Sequence, residues 1–284
     1  MANQVKATLL TNRKVGGYHH LTFIGDGLAD GVRPGHFAAV AVGGANTPMV
    51  LRRAFSIHRA NEVTARGSSL ELVVSPHGPG TEWLVNQQSG AEIDIVAPLG
   101  KPFALPREPV NCLLIAGGYG SAPMVYLAEE LIARGCQVDM IFGAGTESKL
   151  FDVLNAKRIA RYFEITTDDG SAGTHGRVSD VMPSMMTKGD ISAVYACGPM
   201  PMLQSVSDIS TKFGAVAQCA VEESMACGIG VCMTCVLPVI GDDGLTRMVR
   251  SCTDGPVFRG DRVRWSDVGT VPADCVGAPE TGGH

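Results

Sequence analysis

No apolar run in this chain of 284 residues is long enough to cross a bilayer. The longest, such as Val110 to Ala116 and Ser192 to Cys197, fall far short of the roughly 20 residues a membrane helix needs, so a water-soluble protein is expected. A long Lys/Arg run is also missing, and the formal net charge is −5. Nucleic-acid binding demands a concentrated basic surface to neutralise phosphates, so the composition argues against it. The opening Met1-Ala2-Asn3-Gln4-Val5-Lys6 has none of the apolar core of a secretory leader, which argues against an oxidising compartment and disulfides.

What is present is glycine, 35 residues of it, and nine cysteines in a chain long enough for two or three domains. Four of those cysteines form one constellation: Cys227, Cys232 and Cys235, spaced C-x4-C-x2-C, followed by Cys252. This is the plant-type spacing for a [2Fe-2S] cluster. Gly228 and Gly230 permit the tight loop that brings three thiolates together. A structural zinc would also take four thiolates, but its usual signature is two CxxC pairs. Cys112, Cys136 and Cys219 sit among apolar residues and read as small buried side chains.

From Gln4 to about Gly100, short runs such as His20 to Ile24, His36 to Val42 and Glu92 to Val96 alternate with Gly, Pro, Asn and Asp. They read as strands of an antiparallel barrel or sandwich, with one helix beginning near Thr81. Two pieces here suit a dinucleotide. Arg52-Arg53-Ala54-Phe55-Ser56 offers guanidinium groups for a diphosphate and a hydroxyl for a heteroaromatic edge, although an exposed arginine pair explains it equally well. Gly78-Pro79-Gly80-Thr81 leads into a helix whose free N–H groups favour phosphate, and Thr81 is also a plain N-cap candidate.

After the proline-rich linker Lys101 to Pro109 the rhythm becomes βαβ, which predicts a parallel sheet. Val110 to Ala116 runs into the turn Gly117-Gly118-Tyr119-Gly120, and Tyr195-Ala196-Cys197 runs into Gly198-Pro199. In open α/β sheets ligands sit at the carboxyl ends of strands, so both turns are placed to face one crevice. Asp168 to Ser171 follows another short strand and either contacts a ribose or makes a turn.

Arg53-x-Phe55-Ser56 followed by Gly78-x-Gly80-Thr81 resembles the flavin-binding half of the ferredoxin reductase family. The resemblance implies a six-stranded barrel holding FAD, with Arg53 on the pyrophosphate, Ser56 near the flavin ring, Phe55 and Gly78 beside them, and Gly80 and Thr81 at the phosphate turn. Ala116-Gly117-Gly118-x-Gly120-x-Ala122-Pro123 and Cys197-Gly198-Pro199 resemble that family's pyridine nucleotide half. This implies NAD bound by Gly117, Gly118, Gly120, Gly198 and Pro199, with Cys197 next to hydride transfer as the candidate catalytic residue.

Glu222-Glu223-x-Met225-Ala226-Cys227, the cluster loop, Cys252-x-Asp254-Gly255-Pro256 and Thr166 to Gly173 together resemble the electron transfer subunits of class 1B dihydroorotate dehydrogenases, over residues 4 to 262. Ala54 and Phe55 depart from that family's usual proline and apolar residue. The resemblance implies a barrel over 1–105, a nucleotide-binding α/β domain over 106–218, and a [2Fe-2S] domain over 219–284 ending in a loose tail from Gly269. It also implies a cytoplasmic heterotetramer with an FMN-containing catalytic subunit in pyrimidine biosynthesis. The alternatives are a small subunit of an NADH-dependent ferredoxin:NADP oxidoreductase or a sulfite or sulfide reductase, and, outside the enzymes, a redox-sensing or metal-binding module.

Overall fold

The computed structural model describes residues 2–44, 47–64 and 67–278. Its first third is a closed antiparallel barrel of β1 (Asn3–Val15), β2 (Tyr18–Gly25), β3 (Phe37–Val40), β4 (Arg53–Thr64), β5 (Gly67–Val74) and β6 (Glu92–Leu99), in the order β1-β2-β5-β4-β3-β6. Period-two alternation builds it: on β6 Ile93, Ile95 and Ala97 turn inward while Glu92, Asp94 and Val96 stay accessible. Leu9, Leu21, Phe23, Ile57, Leu70 and Leu72 are fully buried in its core. Each such side chain contributes about 1.5–3 kcal/mol by leaving water. A short helix, α1 (Pro79–Val85), links β5 to β6.

His36, just before β3, is 7% exposed, and its Nδ1 accepts the Arg33 N–H at 3.0 Å. Burial, then the Arg33 charge, lowers its pKa to about 4, so the folded chain holds it neutral while the unfolded chain protonates near 6.5. The unfolded state therefore binds more protons between those values, and stability present above pH 6.5 is lost as pH falls toward 4. We expect about 3 kcal/mol lost across that window at about 1.36 kcal/mol per unit. Denaturant midpoints measured from pH 7 to 4 for the parent and His36→Gln check it. The parent should fall more steeply.

The second region is a sheet made by β7 (Asn111–Gly117), α2 (Met124–Ala133), β8 (Gln137–Ala144), α3 (Val153–Ile159), β9 (Phe163–Thr167), β10 (Thr174–His175), α4 (Val178–Gly189), β11 (Ala193–Cys197), α5 (Met200–Lys212) and β12 (Val216–Ala220). The strands pair in parallel in the order β10-β9-β8-β7-β11-β12. β7 and β11 lie side by side while their chain connections run in opposite directions, so the expected crevice opens at their carboxyl ends. Cys112, Cys136 and Cys219 are buried as expected.

The cysteine segment follows, with the hairpin β13 (Val236–Ile240) and β14 (Thr246–Arg250), then α6 (Ser251–Asp254) and β15 (Val257–Arg259). Sequence patterning did not give β15, which adds antiparallel to β12 and closes the edge of the nucleotide sheet. The expected loose tail is corrected over its described part. Cys275 is buried, Asp274 pairs with Arg264 at 2.6 Å, and the Val276 N–H donates to the Thr246 carbonyl at 2.9 Å. These bonds tie the segment to the β14 hairpin; residues 279–284 lie outside the described residues. Among the described residues, no helix is long and apolar enough to cross a membrane.

Candidate functional site

On β4, Arg53 and Phe55 share one face and Ala54 and Ser56 the other, as alternation requires. Register places Arg53 opposite Val40, Phe55 opposite Ala38 and Ser56 opposite Phe37. The Arg53 guanidinium lies against Gly80: a β-carbon built there would stand 2.8 Å from Nε and 3.1 Å from Cζ. The absent side chain leaves a cradle between a cation and the first turn of α1, whose leading N–H groups have no intrahelical partner. Such a cradle fits a diphosphate. Gly78 is the N-cap, and the Thr81 hydroxyl accepts N–H bonds from His77 (3.0 Å) and Gly78 (3.2 Å) and donates to the Gly78 carbonyl (3.0 Å). Thr81 thus shapes the turn rather than offering its hydroxyl to a ligand.

The two glycine turns of the sheet meet closely. A β-carbon at Gly120 would overlap the Cys197 carbonyl, one at Gly198 would stand 2.9 Å from the Gly117 Cα, and one at Gly117 would stand 2.7 Å from Pro199 Cδ. In front of them opens a cleft of about 700 Å³. Gly117, Gly118 and Pro199 line it, whereas Gly120, Cys197 and Gly198 are absent from its wall. Burial, reinforced by Glu222, raises the Cys197 thiol far above its ordinary value, so it is a neutral thiol. The Thr166 hydroxyl at the cleft is buried with no partner among the described residues, which fits a ligand that supplies one.

Motif reading had not placed several cleft residues. Tyr18 arrives from the barrel and donates from its hydroxyl to the Lys149 carbonyl at 2.9 Å. Lys149 and Arg177 supply positive charge to the wall, and Asp168 supplies negative charge. Burial raises the Glu222 carboxyl above its usual range, against a hydrogen bond with Tyr119. These five come from distant stretches, and only Asp168 and the position of Glu222 next to a motif offered any signal in the sequence.

The four motif cysteines gather as two pairs. Cys227 interacts with Cys232, and Cys235 with Cys252. The second pair is buried on the barrel, against Phe37, Ala39 and Leu99. Among the described residues no three cysteine sulfurs lie within 4.8 Å of one another. A single zinc at about 2.3 Å from each sulfur needs all four gathered more tightly, whereas two irons take one pair each. The donors fit as well. Val231 and Cys232 N–H groups point at the Cys227 sulfur (3.3 and 3.4 Å), and the Cys252 N–H at Cys235 (3.4 Å). The Thr234 hydroxyl at 3.2 Å, with backbone amides, lowers Cys232 to about 6. Burial and the neighbouring Cys235 push Cys252 up to about 12, so a metal must displace its proton. Gly228 (φ 70°) and Gly230 (φ 84°) take the left-handed turns expected of them.

A closed barrel with an arginine–glycine cradle, a nucleotide crevice and a paired four-cysteine loop define a ferredoxin reductase-like oxidoreductase subunit. Residues 222–264 match the iron-sulfur cluster binding domain of dihydroorotate dehydrogenase B, and residues 114–208 match the oxidoreductase NAD-binding domain. The electron transfer subunit of dihydroorotate dehydrogenase B (NAD(+)) from Desulforamulus reducens is 33% identical over 247 residues, 87% of this chain and 92% of that protein. The same subunit from Listeria innocua is 36% identical over 251 residues, 86% and 92% of the two chains. A structure of the NADH-dependent reduced ferredoxin-NADP oxidoreductase superposes with a TM-score of 0.80 at 26% identity, covering 93% of this chain and 91% of that one. The chain belongs to the family of dihydroorotate dehydrogenase B electron transfer subunits.

Proposed function

We propose that this chain passes electrons between NAD(H) and an FMN-containing partner that oxidises dihydroorotate to orotate, the two forming a cytoplasmic heterotetramer. In this reading residues 1–105 hold FAD, 106–218 hold NAD and 219–284 hold the [2Fe-2S] cluster. The observation that carries it is the position of β3. One long edge of that strand pairs with the Arg53–Ser56 strand, while its Phe37 and Ala39 floor the Cys235–Cys252 pair. Flavin strand and cluster are therefore neighbours. Bound FAD supplies the conversion, since a flavin exchanges a hydride with nicotinamide and single electrons with a cluster.

The chain's own residues have the following parts. Arg53 and Gly80 receive the FAD diphosphate, Phe55 packs beneath it, and Ser56 presents its hydroxyl on the face that Phe37 shares. Gly78 and Thr81 set the turn. Gly117, Gly118 and Pro199 admit the nicotinamide nucleotide, and Lys149 and Arg177 balance its phosphates. Gly120 and Gly198 hold the two turns together, and Cys197 stands behind them as an un-ionised thiol. Cys227, Cys232, Cys235 and Cys252 ligate the cluster. Ile229, Val231 and Met233, all more than half exposed around Cys232, form the docking rim. The five cysteines outside the cluster set are free thiols, which supports a reducing compartment.

The test uses the purified chain with and without an FMN partner. Alone, it should reduce an artificial acceptor with NADH and show no dihydroorotate oxidation; the co-expressed complex should do both. Robust dihydroorotate turnover by the chain alone overturns the subunit reading. Isolation with a large multi-cluster partner instead favours the ferredoxin:NADP oxidoreductase assignment, to which the 0.80 TM-score lends support.

A further inference from the structure

Beside the nucleotide turn, three donor side chains converge on the outer face of the barrel. His20 on β2, His58 on β4 and Glu71 on β5 each bring one ligand atom within 4.8 Å of the other two. No other group of three His, Cys, Asp or Glu side chains is so gathered among the described residues. Their spacing in the chain has no regularity. Sheet order unites them, because β5 pairs with β2 on one side and β4 on the other.

A bulge supplies the third donor. Ile57 pairs with Leu72 and Arg59 with Glu71, so His58 is an additional residue in β4. Bulges re-aim side chains, and here two residues, His58 and Arg59, stand opposite Glu71. Arg59 is held by Glu129, with both guanidinium N–H donors at 2.7 Å, and leaves Glu71 free of a bidentate partner.

We propose that His20, His58 and Glu71 form a divalent transition-metal site of the zinc class at the seam between barrel and nucleotide sheet. Two imidazoles and a carboxylate, with one position left for water, are a donor set that suits zinc. The His58 Nδ1–H donates to the Ala122 carbonyl at 2.6 Å, which leaves Nε2 as its lone-pair nitrogen. A ring N–H given to a backbone carbonyl is the usual outer support of a metal-bound histidine. His20 Nε2 and Glu71 Oε2 are 2.8 Å apart, sharing a proton that a metal ion displaces. That proton moves to His20 Nδ1 as the exposed Arg13 guanidinium, now 3.2 Å from it, turns away. His20 and Glu71 side chains keep 13% and 18% exposure, enough for an ion to enter.

The site would brace the seam. Ala122 lies two residues beyond Gly120, and Phe151 packs edge-on against both His58 and His20 from the nucleotide side. An ion fixing the His58 ring thus fixes the carbonyl it holds, next to the nucleotide turn.

The experiment titrates Zn²⁺ by calorimetry into chelator-treated holoprotein that retains FAD and cluster, while cluster absorbance is followed. One zinc per chain is expected, with a raised Tm and unchanged cluster absorbance. Glu71→Gln, which keeps shape, and His20→Gln, which keeps a polar side chain, should each weaken binding at least about tenfold. His58→Gln, which also loses the Ala122 bond, should abolish it. Absence of binding, binding undiminished by both conservative variants, or zinc uptake that bleaches the cluster overturns the site.

Discussion

A chain carrying Cys232→Ser is expected to lose its iron and all partner-dependent turnover, while NADH still bleaches its flavin. The effect is large because a cluster of this kind is held by four thiolates, and serine offers a harder, more basic ligand. Cys232 is also the exposed member of its pair, with its thiol lowered to about 6 chiefly by the Thr234 hydroxyl. Its replacement therefore leaves the buried Cys235–Cys252 pair and the barrel beneath it undisturbed. Iron and FAD contents, a flavin bleaching trace with NADH, and turnover with the FMN partner separate the outcomes. Retained partner turnover overturns the ligand assignment. A parallel Cys112→Ala, in the sheet core, should keep its iron.

Gly120→Ala should cut NADH-dependent flavin reduction by about 100-fold, the scale expected when reacting groups are displaced by roughly 1 Å. The added methyl cannot fit, since it overlaps the Cys197 carbonyl and stands 2.9 Å from the Gly198 nitrogen. Both neighbours are backbone, so neither can turn aside as a flexible side chain would. The turn must move away from Pro199 and open the crevice floor, at a cost in stability of about 1–3 kcal/mol typical of overpacking. Stopped-flow reduction over a range of NADH concentrations, with FAD content and Tm as controls, reads the effect. Iron content should stay at the parent level. An unchanged rate would place the nicotinamide elsewhere.

Most of the architecture was legible because its signals are local. Alternation gave the barrel strands, strand–glycine–helix rhythm gave the nucleotide sheet, and cysteine spacing gave the cluster loop. The hairpin over Val236–Ile240 and Thr246–Arg250 was legible too, through its Gly241 to Gly244 turn. What escaped was short or non-local. β15 has three residues, too few for any periodicity, and is a strand only because β12 offers it an open edge. Tyr18, Lys149, Arg177 and Glu222 share a cleft although up to 204 positions separate them, and no window along the chain contains that fact. The His20, His58 and Glu71 group depends on a bulge, which adds one residue without leaving a mark in composition. The tail misled through composition alone: its glycines and small residues hide a buried Cys275, an Asp274 that pairs with Arg264, and a Val276 N–H that reaches β14.

The antiparallel β15 has a bearing on how the chain is made. Translation releases the N-terminus first, so β12 leaves the ribosome about 40 residues before the strand that covers it, and domains start folding as they emerge. Until Arg259 is out, the nucleotide sheet has a bare edge, the kind of surface that recruits foreign strands. All four motif cysteines have already emerged by then, because they lie between β12 and β15. Iron insertion and sheet closure thus fall in the same interval of synthesis.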